Sequence, residues 1–299
     1  MPRFRDAPVH VRVPATSANL GPGFDSAGLA LSLHDDVVVG VTRAGLAVEV
    51  TGEGADDLPR GERHLVVRSL RAAFERLGGQ PPGLQVRCTN RIPHARGLGS
   101  SSAAIVSAVV AAGALVLDAE LDAQARLDLA DELEGHPDNV AACLRGGVTF
   151  AWTEPGGPRV LRLDAHADLA PVAFVPATRS STKQVRGLLP ATVPYADAVL
   201  NASRAALLPQ ALTADPALLM AATEDRLHQG YRAPAMPATA ELVRSLRAAG
   251  VPAVVSGAGP TVLALTTVAG RRAVTGPREG WTVLPLAVEP CGAYVVGTR

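Results

Sequence analysis

This chain should fold as an α+β protein of two domains. Its 299 residues suffice for two hydrophobic cores. Strand-like and helix-like segments mix without a strict βαβ rhythm, which favours α+β over a doubly wound parallel sheet. The densest cluster of turn residues, Glu154-Pro155-Gly156-Gly157-Pro158, stands near the middle. There we divide the chain into domains 1–155 and 156–299.

The elements follow in order. Residues 9–13, Val-His-Val-Arg-Val, alternate as a half-buried strand does, and a Pro/Gly-rich loop runs from there to Gly23. Residues 37–41 and 46–50 are rich in Val and read as further strands. Over 64–77, apolar residues at Leu65, Val66, Leu70, Ala73, Phe74 and Leu77 recur at helical spacing, and Gly78-Gly79 stops the helix. Strand 84–88 leads through the loop 91–99 into the apolar run 103–117. That run is shorter than the roughly 20 residues needed to cross a bilayer, so it reads as a buried helix. Residues 122–134 form a charged amphipathic helix, and 148–152 a strand. Past the division come strands 160–163 and 172–175, helices 196–211, 217–229 and 239–249, and a strand-turn-strand unit over 251–265.

Composition excludes several classes of function. Lys plus Arg and Asp plus Glu both number 28, so no net field draws the chain to nucleic acid or an anionic membrane. The three cysteines, Cys88, Cys143 and Cys291, are far apart and outside any CxxC spacing, which argues against a disulfide framework or structural zinc and for a reducing cytoplasm. The opening residues, Met-Pro-Arg-Phe-Arg-Asp, lack an apolar signal core.

The strongest chemical signal is Pro93-His94-Ala95-Arg96-Gly97-Leu98-Gly99-Ser100-Ser101-Ser102-Ala103-Ala104, opening directly into the apolar helix. Glycines let backbone approach an anion, hydroxyls add donors, and the helix N-terminus favours phosphate. The loop is neither GxxxxGK[ST] nor GxGxxG. Taken alone, it could also be an ordinary serine cap after a glycine turn.

This loop resembles the second signature of the GHMP kinases, Pro-x-x-x-Gly-Leu-Gly-Ser-Ser-Ala-Ala, departing from it only at Ser102. Two more of the superfamily's signatures stand in the right order: Pro14-Ala15-Thr16-Ser17-Ala18-Asn19-Leu20-Gly21-Pro22-Gly23-Phe24-Asp25, and Ser256-Gly257-Ala258-Gly259-Pro260-Thr261. The first of these, with Gly135-His136-Pro137-Asp138-Asn139, is most similar to the homoserine kinase family, which has Asn where mevalonate and galactokinases place a catalytic Asp. The segments Thr182-Lys183-Gln184-Val185-Arg186 and Tyr231-Arg232 match as well. The resemblance implies a ribosomal-protein-S5-like N-terminal domain and a ferredoxin-like C-terminal domain. It also implies ATP and Mg²⁺ as cofactors, and phosphorylation of the side-chain hydroxyl of homoserine on the way to threonine.

By the same resemblance, Pro93, Arg96, Gly97, Leu98, Gly99, Ser100, Ser101, Ser102 and Ala103 bind the nucleotide. Ser101 and Glu132 hold the metal, with Glu134 two residues on as the alternative. The acidic cluster of Asp128, Asp131, Glu132 and Glu134 reads equally as a solvated helix face. Asn139 and Arg186 take the catalytic positions, and Asn19, Asp25, His136, Asn139, Thr182, Arg186, Arg232 and Gly257 surround the substrate. The ligand's chemistry fits: an ammonium wants a carboxylate such as Asp25, and a carboxylate wants a forked guanidinium such as Arg186 or Arg232. Asn139 is no base, but phosphoryl transfer asks mainly for alignment and charge neutralisation. The expected partner is the small-molecule substrate, with no nucleic acid and no membrane, in a monomer or homodimer. A kinase of another alcohol and a non-catalytic metabolite sensor on the same fold are the rivals.

Overall fold

The computed structural model describes residues 2–178, 185 and 187–297. Its larger sheet has seven strands, in the order β11 (Tyr294–Val295), β1 (Val9–Ala18), β2 (Ala27–Thr42), β4 (Gly83–Asn90), β3 (Gly45–Gly52), with β5 (Val148–Glu154) on β2 and β6 (Gly157–Leu163) on β5. Strand β1 (Val9–Ala18) pairs antiparallel with β2 (Ala27–Thr42), and the register shifts between Pro14 and Ala15. β2 begins well before the expected residue 37 because 27–31, Ala-Gly-Leu-Ala-Leu, is buried on both faces and so lacks the alternation that announces a strand. β3 (Gly45–Gly52) lies parallel to β4 (Gly83–Asn90).

Helices α1 (Leu65–Arg76), α2 (Ser100–Leu115), α3 (Ala123–Glu134) and α4 (Pro137–Arg145) pack together and against this sheet. α2 is the apolar run; nearly all of its residues from Ser102 to Ala112 are buried, as expected for a helix apolar on every side. Among the described residues no helix is long and apolar enough to cross a membrane. α4 was not expected, although Pro137 at its first turn and Gly146 at its end are ordinary start and stop signals.

The turn cluster at the expected domain division is a hairpin tip. β5 (Val148–Glu154) pairs with β6 (Gly157–Leu163) from Glu154 opposite Gly157, so Pro155 and Gly156 are a two-residue turn inside the first sheet. Near the other terminus, β11 (Tyr294–Val295) returns to pair with β1.

The second sheet is antiparallel, ordered β10-β7-β9-β8, from β7 (Val172–Pro176), β8 (Ala253–Val255), β9 (Val262–Ala264) and β10 (Trp281–Pro285). Phe174, Val262, Leu242 and Leu246 share its core. α5 (Tyr195–Thr213) runs near its expected bounds. The helix expected over 217–229 is broken into α6 (Leu219–Ala222) and α7 (Gln229–Arg232). Between them the Asp225 carboxylate accepts the backbone N–H groups of Leu227, His228 and Gln229, a local competitor to the helical bonds. α8 (Pro237–Ala248) packs on β8 and β9.

Candidate active site

The three glycine-containing loops meet. Asn19 follows β1 with φ +70° and is buried; its Nδ2 donates to the carbonyl of Gly257 at 2.9 Å, and its Oδ1 accepts the N–H of Asp25 at 3.0 Å. The Ser256 hydroxyl sits between Ser17 Oγ, 2.8 Å away, and the carbonyl of Gly97. Backbone bonds complete the clasp, Thr16 N–H to Leu98 and Thr261 N–H to Arg96. Each loop thus uses its polar groups to fix the other two.

Gly97 and Gly99 have φ of +78° and +70°, where L side chains are strained. A Cβ at Gly97 would collide with the carbonyl of Ser256, and one at Gly99 with the Thr16 hydroxyl. These glycines therefore allow a close approach of protein to protein in the cavity wall, beyond any approach to phosphate.

The cavity they bound opens to solvent and is lined mostly by polar and charged side chains and by glycine backbone, as suits a small polar ligand. Ser100 and Ser101 face it from the first turn of α2, Glu134 from the end of α3, and His136, Asp138 and Asn139 from the start of α4. Asp25, Arg232 and Gly257 close the far side. Asp138 is buried, and its Oδ1 holds His136 Nδ1 at 2.6 Å and the N–H of Asn139 at 2.7 Å. Thr16 Oγ1 donates to Asn139 Oδ1 at 2.8 Å. The Asn139 carboxamide is therefore oriented from β1, with its oxygen already engaged.

Glu134 rather than Glu132 stands beside the serines. Its Oε1 accepts from Ser101 Oγ at 2.6 Å and Ser102 Oγ at 2.8 Å. Glu132 instead pairs with Arg76 of α1 at the surface. Two residues along a helix turn the side chain by roughly 200°, so only one of the two can face the loop. Ser101 and Glu134 are hard oxygen donors converging at a helix N-terminus, a set that suits Mg²⁺ completed by phosphate oxygens. Among the described residues no group of three or more His, Cys, Asp or Glu gathers into a metal cage.

The other residues expected at the nucleotide make contacts within the protein. Leu98 is wholly buried in the core. The Arg96 guanidinium donates to the carbonyls of Pro176, Ala177 and His94, tying the loop to the end of β7. Pro93 does not line the cavity, and Ser102 turns inward to Glu134. Thr182 and Arg186 lie outside the described residues.

A second cavity, of about 680 Å³, adjoins the first at Ser100 and Ser101. Its walls are mainly apolar, from Leu58, Leu65, Val66, Ala103 and Ala104, with Cys88 beside them. Burial pushes the Cys88 thiol up to about 12. Burial also shifts Asp35 and His64, which line the same space. Burial raises Asp35 to about 6, against the opposing hydrogen bonds from the N–H groups of Arg91 and Ile92. His64 is buried, neither ring nitrogen has a hydrogen-bond partner, and burial lowers its pKa, helped by Arg60 and His94. Of the sequence motifs, only the glycine loop reaches this cavity, through Ser100, Ser101, Ala103 and Ala104.

Comparison with known proteins follows the same lines. Residues 64–147 match the family model for the GHMP kinases N terminal domain, and residues 206–275 that for the GHMP kinases C terminal. Homoserine kinase of Streptomyces avermitilis is 58% identical over 298 residues, covering 99% of this chain and 98% of that protein. Its counterpart in Streptomyces coelicolor is also 58% identical, over 96% of this chain and 97% of that one. Among solved structures, homoserine kinase from Cytophaga hutchinsonii superposes with a TM-score of 0.83 at 26% identity, covering 99% of each chain. Mevalonate kinase of L. major, in complex with R-mevalonate, has a TM-score of 0.72 at 15% identity, covering 98% of this chain and 100% of that one; this likeness is one of fold alone.

Proposed function

We propose, since this chain belongs to the homoserine kinase family of the GHMP kinases, that it transfers the γ-phosphoryl group of ATP to the side-chain hydroxyl of L-homoserine, a step toward threonine. The observation that carries the reading is the polar cavity, with a phosphate-type loop and carboxylate on one wall and an Asp and Arg pair on the other.

On this reading the Ser100–Ser101 turn and the α2 N-terminus bind the nucleotide phosphates, and the apolar cavity next to them takes the base. Ser101 and Glu134 would hold Mg²⁺, which when bound neutralises charge on the phosphate oxygens. Asp25 meets the substrate ammonium and Arg232 its carboxylate, with Arg186 and Thr182 assigned there by resemblance. Asn139, fixed by Thr16, donates through Nδ2 to Asp138 Oδ1 at a long 3.4 Å and uses its second amide hydrogen to contact the acceptor hydroxyl, and His136 stands beside it at the wall. The work of these residues is alignment and charge placement, so no carboxylate base is required.

The cleft lies between two halves, which we divide after β6 rather than at 155, with β11 counted in the first. The three free cysteines fit a reducing cytoplasm. Product identification tests the activity. Incubation with ATP, Mg²⁺ and L-homoserine should yield a phosphate monoester whose phosphorus couples to the terminal methylene in ³¹P–¹H spectra. Release of inorganic phosphate alone would reject it.

A further inference from the structure

The guanidinium expected to meet the substrate carboxylate is held from behind by a histidine that no motif singled out. His228 precedes α7 and has no exposed surface. Its Nε2 lies 2.8 Å from the carbonyl of Gly21, and its Nδ1 lies 3.2 Å from Nη1 of Arg232. A carbonyl can only accept and a guanidinium can only donate. Together the two partners require Nε2 to carry the proton and Nδ1 to offer its lone pair. Phe24 stacks on the imidazole with centroids 5.0 Å apart and 24° between planes, and the same ring lies 5.2 Å from the Arg232 guanidinium carbon.

We propose that His228 is a positioning residue for substrate selection: as the neutral Nε2–H tautomer it links the Gly21 loop to Arg232 and aims that guanidinium at the carboxylate of the amino-acid substrate. The proposal rests on the reading of Arg232 as the carboxylate partner. An Arg side chain has many rotamers, and fixing them before binding removes an entropic cost from the bound state. His228 supplies an acceptor on one Nη1 hydrogen, Gly257 a longer one at 3.4 Å, and Phe24 a face. The charged groups around the imidazole are Asp225 and Arg232 on its own segment and Asp25 from the loop after β1. Asp225 Oδ2 is 3.8 Å from Nε2, beyond hydrogen-bond reach. Burial, the largest cause, and Arg232 both lower the His228 pKa, in keeping with the tautomer that the geometry requires.

The test uses two substrates and two side chains. His228→Leu removes the acceptor, and His228→Asn restores an oxygen near the Nδ1 position. His228→Leu should raise KM for homoserine about tenfold, the scale of one charge-assisted hydrogen bond, with kcat and KM for ATP near wild type. His228→Asn should recover most of that loss. On 3-aminopropan-1-ol, which is homoserine without its carboxylate, all three proteins should have equal kcat/KM. If His228→Leu does not fold, His228→Gln replaces it, since Gln can keep a donor toward Gly21 but no acceptor at Nδ1; it should then show the high KM while Asn does not. Unchanged homoserine KM in the Leu or Gln variant overturns the proposal. So does an equal loss on both substrates, or a joint fall in kcat and ATP binding, which would mark a merely structural role. Arg232→Leu separates the two layers. If it leaves homoserine KM unchanged, the carboxylate reading itself fails; if it raises KM while the His228 variants do not, only the positioning role fails.

Discussion

The two cavities that meet at Ser100 and Ser101 are built in opposite ways. The first is walled by loops and helix ends whose polar groups bond to one another, such as Asn19 to Gly257 and Thr16 to Asn139. The second is lined mainly by apolar side chains, from strands β2 and β4, the first turns of α1 and α2 and the loop at Leu58, with His64 left unbonded and Asp35 raised by burial. A ligand entering the first must replace or extend satisfied hydrogen bonds. A ligand entering the second gains by covering apolar surface and completing unsatisfied polar groups. The contrast ties discrimination by charge to the first cavity and affinity by burial to the second.

The largest effect that could break this contrast belongs to the polar cavity. Glu134→Gln should lower kcat at least about a hundredfold and raise the Mg²⁺ concentration for half-maximal rate, because it removes charge from a small ligand set. Glu132→Gln, which disturbs only the exposed pair with Arg76, should stay within about twofold. Mg²⁺ titration of both variants checks this, and the reverse pattern would return the metal to Glu132.

The next effect is one of stability and belongs to the apolar cavity. Burial raises Asp35 from its ordinary 3.8 to about 6, so folding favours its protonated form. Its contribution is fully present below the unfolded pKa and is lost as pH rises through the folded one. Asp35→Asn should therefore gain on wild type by about 1.5 to 2 kcal/mol between about pH 4.5 and pH 7, read from urea midpoints. Asp36, one residue on, titrates in the opposite sense: burial would raise it, but hydrogen bonds from Arg12, Arg91 and His10 outweigh that and hold it well below its usual range. Its contribution is present above the unfolded pKa and lost as pH falls, so Asp36→Asn should lose its effect in acid.

The smallest effect sharpens the role of His64. His64→Leu removes an unsatisfied buried polar group and should raise the thermal midpoint. It should also raise KM for ATP about tenfold, the worth of one hydrogen bond to a ligand, without changing KM for homoserine. A variant with unchanged ATP affinity would mean that the imidazole does not face the nucleotide.

What could be read in the sequence follows the same division. The polar cavity was legible because its parts are contiguous stretches: backbone conformations that need Gly, and hydroxyls at a helix start, must sit at fixed spacing. Even there, the choice between Glu132 and Glu134 is open in the sequence, because position in the chain does not give the rotation of α3 against α2. Thr16 and Asp138 lie within the motifs, yet the role of Thr16 depends on a bond across 123 residues and that of Asp138 on burial. The apolar cavity is less legible because, apart from the residues of the glycine loop at its rim, its lining residues Leu58, His64 and Cys88 share no spacing and look like ordinary core. The hairpin at 154–157 carries the same ambiguity, since Pro and Gly mark a reversal of the chain without saying whether the next strand rejoins the sheet.

One measurement tests the central claim most directly: coupled ADP release with homoserine, mevalonate, galactose and shikimate as acceptors, with Mg²⁺ present or chelated. Homoserine should exceed every other acceptor in kcat/KM by at least about a hundredfold, the scale expected when a site's charged groups are left without a partner, and chelation should abolish the rate. Comparable turnover of an acceptor lacking both ammonium and carboxylate would contradict the assignment of Asp25 and Arg232 and the substrate with it.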